Sequence, residues 1–290
     1  MKKTLYPAIF LCLFLFAACD KNFEEINKDP VLPTTIDPAY LFSNALVTSP
    51  VYTLQYQDEI VQQIITPFTG VLQGGNHNVW FEANNTSSPF NTLYGGPIKL
   101  LADVLDKTED DASRSNLFNM ARIWRSQVFQ VLVDTYGDVP YFESGSAYLK
   151  EIYLPKYDPA PDIYEDLLVQ VSEAVAALDP GQRTENSEPF YSGDISKWKK
   201  LGNSLLLRLA MRYSGIDPSK AAQYVAIATN PANGGVMESN ADNATLRFNS
   251  TYLNPNTTTF NGTERANFYL AKPFVDYLQS TDDPRLKSIA

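Results

Sequence analysis

Histidine and cysteine are scarce in this chain. Its 290 residues include one histidine, His77, and two cysteines, Cys12 and Cys19. Nucleophilic centres of the Ser-His-Asp or Cys-His type need a histidine base, and zinc sites commonly use several histidines. Two cysteines cannot build a framework of several disulfides. The composition therefore removes most of these hydrolase and metal chemistries from consideration.

Long hydrophobic runs and an excess of positive charge are also missing. The apolar stretch at residues 5–18 would span about 21 Å as a helix, short of the roughly 30 Å hydrocarbon core of a bilayer. Acidic residues outnumber basic ones by 33 to 23, which gives a net charge of −10. A nucleic-acid backbone would be repelled by this charge. We therefore expect neither a transmembrane anchor nor a nucleic-acid partner.

The N-terminus has the form of a lipoprotein signal. Lys2 and Lys3 precede the apolar stretch, and the small residues Ala17 and Ala18 precede Cys19. We predict a signal peptide at residues 1–18 and lipid attachment to Cys19, with acyl chains such as palmitate anchoring the protein to a membrane. The alternative is an ordinary secretory signal, which would leave one free thiol at the start of an exported protein.

The remainder of the chain has mostly helical periodicity. Residues 19–38 are polar and contain three prolines, which is typical of an extended tether. Apolar spacing and capping residues then predict helices at 39–65 with a break near Pro50, at 89–107 with a possible break at Gly95-Gly96-Pro97, at 112–136, from Pro161 to about 178, at 195–213 after Asp194, from Asp217-Pro218 to Asn230, and from Pro273. No run of alternating strands is evident, so we predict a mainly α-helical body at residues 39–290.

One segment matches part of a helical repeat. Trp198, Leu201, Gly202 and Leu205 follow the spacing of the first helix of a tetratricopeptide repeat. The second-helix positions of that template fall in the turn predicted near residue 214, so the repeat is not regular. The sequence predicts a bundle of degenerate tetratricopeptide-like helix pairs with long loops.

Several motifs together resemble one family. The clearest is Asp134-Thr135-Tyr136-Gly137-Asp138-Val139-Pro140-Tyr141, after a helix containing Ala121-Arg122. Further matches follow in order: Tyr157-Asp158, Ile163-Tyr164, Gly193-Asp194, Lys197 to Leu201, Asn203-Ser204-Leu205, Arg208 to Arg212, Asn240 to Ala244, Pro273 to Leu278, and Asp283-Pro284-Arg285. Their number and order resemble the SusD/RagB family of nutrient-binding outer-membrane lipoproteins.

The resemblance implies both a fold and a role. Members of this family are helical bundles with tetratricopeptide-like pairs that support a loop-rich ligand face. They act beside a SusC-like TonB-dependent β-barrel transporter in the outer membrane, and they face the cell exterior. Members are generally longer than 290 residues, so this chain is similar to the N-terminal portion of one, and we expect the body at residues 39–290 to be incomplete at its C-terminus.

A loop rich in glycine and asparagine, at residues 69–88, is the predicted ligand site. Trp80 and Phe81 have no periodic packing reason to lie there, and sugar rings stack on aromatic planes. Asn78 and Asn84 supply amides that both donate and accept hydrogen bonds, and His77 lies beside them. The alternative is that these aromatic side chains fold back into the core.

Two charged residues outside this loop were candidates for a site. Arg208 lies in the apolar run at 205–211, where a buried guanidinium needs a partner, and a structural ion pair is favoured over ligand binding. Asp242, beside Asn240 and Asn243, offers oxygen ligands for calcium but lacks the spacing of an EF-hand. We therefore predict neither a metal nor a cofactor.

The function predicted is capture of a nutrient, an oligosaccharide in preference to a peptide, without covalent chemistry. Two alternatives remain. A lipid-anchored glycoside hydrolase would use a carboxylate pair held across the substrate, which the sequence alone cannot identify; the adjacent acids Asp110-Asp111 and Asp282-Asp283 are better interpreted as solvated loop charges. A structural or adhesive surface protein would need no small ligand.

Overall fold

Helices make up most of the described chain. The computed structural model describes residues 35–49, 58, 61–65, 83–251, 253–254, 257 and 268–289. The helices are α1 (Pro38–Thr48), α2 (Ala83–Leu93), α3 (Lys99–Thr108), α4 (Ser115–Tyr136), α5 (Ala147–Lys150), α6 (Ala160–Ala177), α7 (Ile195–Arg212), α8 (Pro218–Thr229), α9 (Lys272–Ser280) and α10 (Leu286–Ile289). Two short strands, β1 (Ile64–Ile65) and β2 (Tyr269–Leu270), pair antiparallel with Ile64 opposite Leu270. The predicted mainly α fold is confirmed.

The predicted helix starts rest on side-chain caps. The Asp194 carboxylate accepts a hydrogen bond from the backbone N–H of Lys197 at 3.2 Å, and Asp217 accepts one from Lys220 at 3.0 Å. These bonds satisfy N–H groups that the first turns of α7 and α8 cannot pair internally. Pro161 lies in the first turn of α6, where its missing N–H costs nothing. The predicted starts of α6, α7 and α8 are confirmed.

Two predicted boundaries are wrong. Ile64 and Ile65 are extended and not helical, because they pair with β2 about 200 residues later in the chain. The predicted loop at 69–88 ends earlier, because α2 begins at Ala83 and contains Pro89 in its interior. Local propensity is a weak prior, and at Ile64 and Ile65 the pairing with a distant segment overrides it.

The suspected break at Gly95-Gly96-Pro97 is a change of helix type. Residues Tyr94–Ile98 form a π-helical turn that joins α2 to α3. A proline cannot donate to the ordinary α-helical ladder, and its ring collides with the carbonyl four residues earlier, whereas the wider π turn relieves this conflict. The chain therefore stays helical through the proline.

The helices pack in the order of the chain. Helix α1 packs on α3, α3 on α4, α4 on α6, α6 on α7, and α7 on α8. Gly202 of α7 lies where three of these helices meet: a Cβ atom there would be 2.4 Å from Cγ2 of Val175 and 3.0 Å from Cδ1 of Ile123. Glycine is required because it lets α7 approach α6 and α4 closely, which explains the repeat-like pattern around Trp198.

Aromatic side chains fill the centre of this array. Trp198 is fully buried, and its ring lies 5.6 Å from that of Phe42, 5.9 Å from that of Tyr191 and 6.2 Å from that of Phe190. Such clusters bury large apolar areas and add edge-to-face attraction. The described residues from Asp37 onwards belong to one compact unit. Within the described ranges, no helix is both long and apolar enough to cross a bilayer.

The turn after α4 has a backbone reason for its glycine. Gly137 caps the helix with φ +75°, a conformation that glycine adopts without steric cost, and its N–H donates to the carbonyl of Val133 at 2.9 Å. Just beyond, the carboxylate of Asp158 accepts hydrogen bonds from the N–H groups of Tyr141 and Phe142, both at 2.9 Å. These bonds fix the path of the chain between α4 and α6.

Candidate functional site

The sequence-predicted site residues lie mostly outside the described part of the chain. These are Cys19, His77, Asn78, Trp80 and Phe81. Asn84 lies in the first turn of α2, but its side chain is also outside the described atoms. The lipid attachment site and the loop site therefore stay predictions.

The described residues contain a groove that the sequence did not predict. It consists of three adjoining cavities of about 350, 510 and 680 Å³, which follow α4 and α7 and end beside α6 and α8. Gln127 and Val131 line both the first and the second cavity, and Asp134 lines both the second and the third. With Trp124, these residues are spaced by three or four positions and so share one face of α4. We call this surface the α4–α7 groove.

The first cavity is largely apolar. Its wall includes Trp124, whose indole N–H donates to Oγ of Ser49 at 2.8 Å and whose ring lies edge-on to Phe190 with 5.0 Å between centroids. Leu93, Val128, Leu201 and Leu246 also line it. The hydrogen bond satisfies the polar end of the indole, so the ring is held in one orientation.

The second cavity is lined by two polar side chains that make few hydrogen bonds to other described residues. Gln130 is 3% exposed, and its Oε1 accepts no hydrogen bond from the described residues. Arg208 is exposed, and among the described residues it donates one long hydrogen bond, of 3.5 Å, to Oε1 of Gln127. Val131 and Met211 provide an apolar lining. Buried acceptors without a donor are rare and call for an explanation.

The ion pair predicted for Arg208 is not formed with any of the described residues. No carboxylate of the described residues lies within 4 Å of its guanidinium. The buried stripe of α7 is formed by Leu205, Leu206 and Leu209, and Arg208 lies on the side of the helix away from it. Since its charged end remains in contact with water, it needs no buried counterion.

An ion pair divides the second cavity from the third. Nη2 of Arg212 lies 2.5 Å from Oδ2 of Asp134, whose other oxygen accepts a hydrogen bond from the Tyr164 hydroxyl. Burial, reinforced by the nearby Asp134 carboxylate, raises the pKa of Tyr164. The hydroxyl therefore remains a neutral donor at physiological pH, and the charge of Arg212 is already balanced.

The third cavity contains a second neutralised pair. Oε1 of Glu165 accepts hydrogen bonds from the Tyr213 hydroxyl at 2.9 Å and from Nζ of Lys220 at 2.5 Å. The Lys220 ammonium also lies 5.0 Å from the centre of the Tyr213 ring, within cation–π range. Among the basic groups of the groove, only Arg208 has no carboxylate partner in the described residues.

Sequence reasoning missed Gln127 and Gln130, although one signal was available. Gln130 interrupts the apolar run at 128–133, where a helix otherwise presents hydrophobic side chains. A polar residue inside such a run must be buried or lie at a cavity, and the structure shows that it does both.

Asp242, the residue weighed as a calcium ligand, has a structural role. Its carboxylate accepts hydrogen bonds from Nζ of Lys200 at 3.2 Å and from the N–H groups of Glu238 and Ser239 at 3.0 and 3.3 Å. These bonds, that of Glu238 foremost, lower the pKa of Asp242. The described residues contain no cluster of three metal-ligating side chains.

Of the adjacent acids weighed for a hydrolase, Asp111 and Asp283 bond to neighbouring residues. Asp111 caps a short 3₁₀ turn and accepts hydrogen bonds from the hydroxyl and N–H of Ser113, which lower its pKa. The guanidinium of Arg285 holds the pKa of Asp283 at about 2. A glycosidase general acid needs a raised pKa, so neither group is suited to that role.

Solved structures share this arrangement of helices. A protein described as "Bacteroidetes AC2a SusD-like" is 28% identical, with a TM-score of 0.73 over 87% of this chain and 50% of that one. A chitin-binding protein is 29% identical, with a TM-score of 0.74 over 87% and 54%. A SusD homologue from Bacteroides vulgatus ATCC 8482, 21% identical with a TM-score of 0.73 over 86% and 52%, shares the fold. The chain spans about half the length of these relatives.

Sequence comparison gives the family directly. No curated protein matches the chain significantly. The family model named SusD-like, described as "Starch-binding associating with outer membrane", matches residues 30–290. This range contains every described helix and the α4–α7 groove. Since the match covers nearly the whole sequence, the chain belongs to the SusD-like family.

Proposed function

We propose that this protein captures a nutrient glycan at the cell surface and passes it to a SusC-like TonB-dependent transporter in the outer membrane. The family match over residues 30–290 is the observation that carries the proposal. The family description names starch, and one solved relative is described as chitin-binding. Both are polysaccharides, which favours a glycan over a peptide as the ligand.

The proposed ligand contacts come from the loop before α2 and from the first turn of α2. Trp80 and Phe81 would stack on the C–H faces of sugar rings, and Asn78, Asn84 and His77 would bond to hydroxyl groups. Binding of this kind needs no covalent chemistry.

The proposed lipid anchor contributes to delivery. Acyl chains on Cys19 would confine the protein to the membrane that contains the transporter, and the tether at residues 20–38 would allow the helical body to reach it. Confinement raises the effective concentration at which binder and transporter meet. The anchor therefore acts on encounter with the transporter and not on ligand affinity.

The loop site is tested by titrating the detergent-solubilised full chain with maltoheptaose and chitohexaose. We expect Trp80→Ala to abolish measurable binding of whichever glycan the wild type binds. The matched control is Tyr148→Ala, which removes an aromatic side chain that is 83% exposed outside the loop. Both variants should melt at the wild-type temperature. Unchanged affinity in Trp80→Ala would remove the loop from the proposal.

The delivery step is tested in cells. Cys19→Ala should impair glycan uptake while the purified variant keeps its ligand affinity. The wild type should also retain a large β-barrel protein after gentle detergent solubilisation. Equal uptake by the unlipidated form would contradict the role of the anchor, and purification without any barrel would contradict the partnership.

A further inference from the structure

The segment that joins α4 to α6 exposes an unusual number of large apolar side chains. We call residues 139–158 the α4–α6 loop; it includes the short helix α5. Five of the sixteen large apolar side chains that are exposed among the described residues lie in it, each between 56% and 91% exposed: Phe142, Tyr148, Tyr153, Leu154 and Tyr157. Exposed apolar residues scattered singly need no explanation, whereas a cluster of this kind marks an interaction site.

The α4–α6 loop is held in one conformation. Its two ends pair through reciprocal backbone hydrogen bonds between Val139 and Asp158, of 3.3 and 3.0 Å. Its middle rests on α3, because Gly145, with φ +71°, comes so close that a Cβ atom there would be 2.6 Å from Cβ of Ala102. A fixed loop loses little conformational entropy when it binds, so its exposed side chains form a prepared contact surface.

The composition of the α4–α6 loop favours a protein over a glycan as its partner. Residues 147–157 contain no asparagine, glutamine, serine or threonine, so apart from the tyrosine hydroxyls they lack neutral side chains that both donate and accept hydrogen bonds. The predicted glycan loop at 69–88, in contrast, is rich in asparagine. Aromatic side chains are enriched in the cores of protein interfaces, which a polar rim surrounds. The exposed tyrosines and Leu154 fit such a core, and the exposed Lys150 and Lys156 fit its rim.

A lipid surface fits the α4–α6 loop less well than a protein does. The net charge of −10 opposes adsorption to anionic head groups, and the loop itself contains three acidic residues against two lysines. We propose that the α4–α6 loop is the surface with which this protein docks on its SusC-like transporter, its exposed tyrosines and Leu154 packing against apolar side chains of that partner. Docking here rests on the proposed delivery step, and it shares no residue with the predicted glycan loop around Trp80.

The experiment measures the affinity of the full chain for the β-barrel that co-purifies with it, by biolayer interferometry after the two are separated and recombined in gentle detergent. Leu154→Ser and Tyr148→Ala should each weaken this affinity about tenfold or more, because a few large side chains carry most of the binding free energy of an interface. Both variants should keep the wild-type glycan affinity and melting temperature, since each replaces a side chain that is 83% or more exposed.

The matched controls are Ile216→Ser and Tyr277→Ala, which alter side chains that are 82% and 61% exposed outside the α4–α6 loop and should leave the affinity for the barrel unchanged. Equal affinity of the wild type, Leu154→Ser and Tyr148→Ala for the barrel would overturn the docking surface alone. Absence of any affinity in the wild type would overturn the proposed delivery step as well, so the two failures are distinguishable.

Two other occupants of the α4–α6 loop would also overturn the proposal. Loss of glycan affinity in Leu154→Ser and Tyr148→Ala, with the affinity for the barrel retained, would show that the loop binds a glycan. Dimerisation of the wild type in light scattering, abolished by Leu154→Ser while the affinity for the barrel stays unchanged, would show that it binds a second copy of this chain.

Discussion

The close packing at Gly202 allows a prediction about stability. The change in the free energy of unfolding on substitution of Gly202 should reverse its sign when Val175 is also substituted. In Gly202→Ala, the new Cβ would lie 2.4 Å from Cγ2 of Val175 and 3.0 Å from Cδ1 of Ile123. Non-bonded carbons prefer about 3.5–4.0 Å, so the overlap with Val175 exceeds about 1 Å. The Ile123 methyl is terminal and can turn away. Val175 is buried on α6 and has one strongly preferred rotamer in a helix, so it cannot.

The magnitude is the difference between two effects. Overpacking of a core costs about 1–3 kcal/mol, whereas alanine in place of a helical glycine gains about 1 kcal/mol in propensity. Since Val175 cannot move, the overpacking cost lies in the upper part of this range, about 2–3 kcal/mol, and we expect Gly202→Ala to lower the free energy of unfolding by about 1–2 kcal/mol. In a Val175→Ala background the obstructing methyl is absent, so the same change should raise it by about 0.5–1 kcal/mol.

This coupling is measured by urea denaturation of the wild type, both single variants and the double variant. The comparison requires that the dependence of the unfolding free energy on urea concentration has the same slope in all four proteins. Gly95→Ala is the matched control, because Gly95 is also helical but a Cβ there would meet no atom within 4 Å. It should stabilise the protein by up to about 1 kcal/mol. The reasoning is refuted if Gly202→Ala alone leaves the free energy of unfolding unchanged or raises it. It is also refuted if Gly202→Ala still lowers this free energy in the Val175→Ala background.

Two further changes test local features of the fold. Asp194→Ala removes the cap of α7 and should cost about 1 kcal/mol of unfolding free energy in urea titrations, with Asp194→Asn close to wild type because its amide oxygen still accepts the bond. The Arg114 guanidinium donates a hydrogen bond to Asp37 at 2.6 Å and lowers the pKa of that carboxyl below 3.8. The ion pair therefore stabilises the fold fully above pH 3.8, and this stabilisation is lost as the pH falls through the lowered pKa of Asp37 in the folded protein. Arg114→Met should therefore be less stable at pH 6 and show a shallower loss of melting temperature between pH 4 and pH 2; an equal slope would contradict this assignment.

Local chemistry explains which elements could be predicted from the sequence. Asp194 and Asp217 each bond to an N–H three residues later, so the signal and its effect lie within one turn. Helix α4 also has apolar residues on more than one face, and it packs on both α3 and α6. Ile64 could not be assigned in this way, because its strand exists only through pairing with Leu270.

The groove could not be predicted for a related reason. The apolar run around Arg208 suggested burial and a counterion, and nothing local shows that this position lies away from the stripe that packs on α6. Its contact with Gln127 joins residues 81 positions apart. Only the packing of α7 beside α4 makes the two side chains line one cavity.

The chain-order packing of the helices has a consequence for cooperativity. Because α1, α3, α4, α6, α7 and α8 each rest mainly on the helices adjacent in sequence, stability is transmitted as in a one-dimensional array. A perturbation in α1 should reach α8 mainly through the intervening interfaces, with the contact between Phe42 and Trp198 as a direct connection from α1 to α7. Gly202 of α7 lies against both α4 and α6, so it takes part in two helix interfaces at once. Protection from hydrogen exchange should therefore be greatest around this glycine and decline toward α1 and α8.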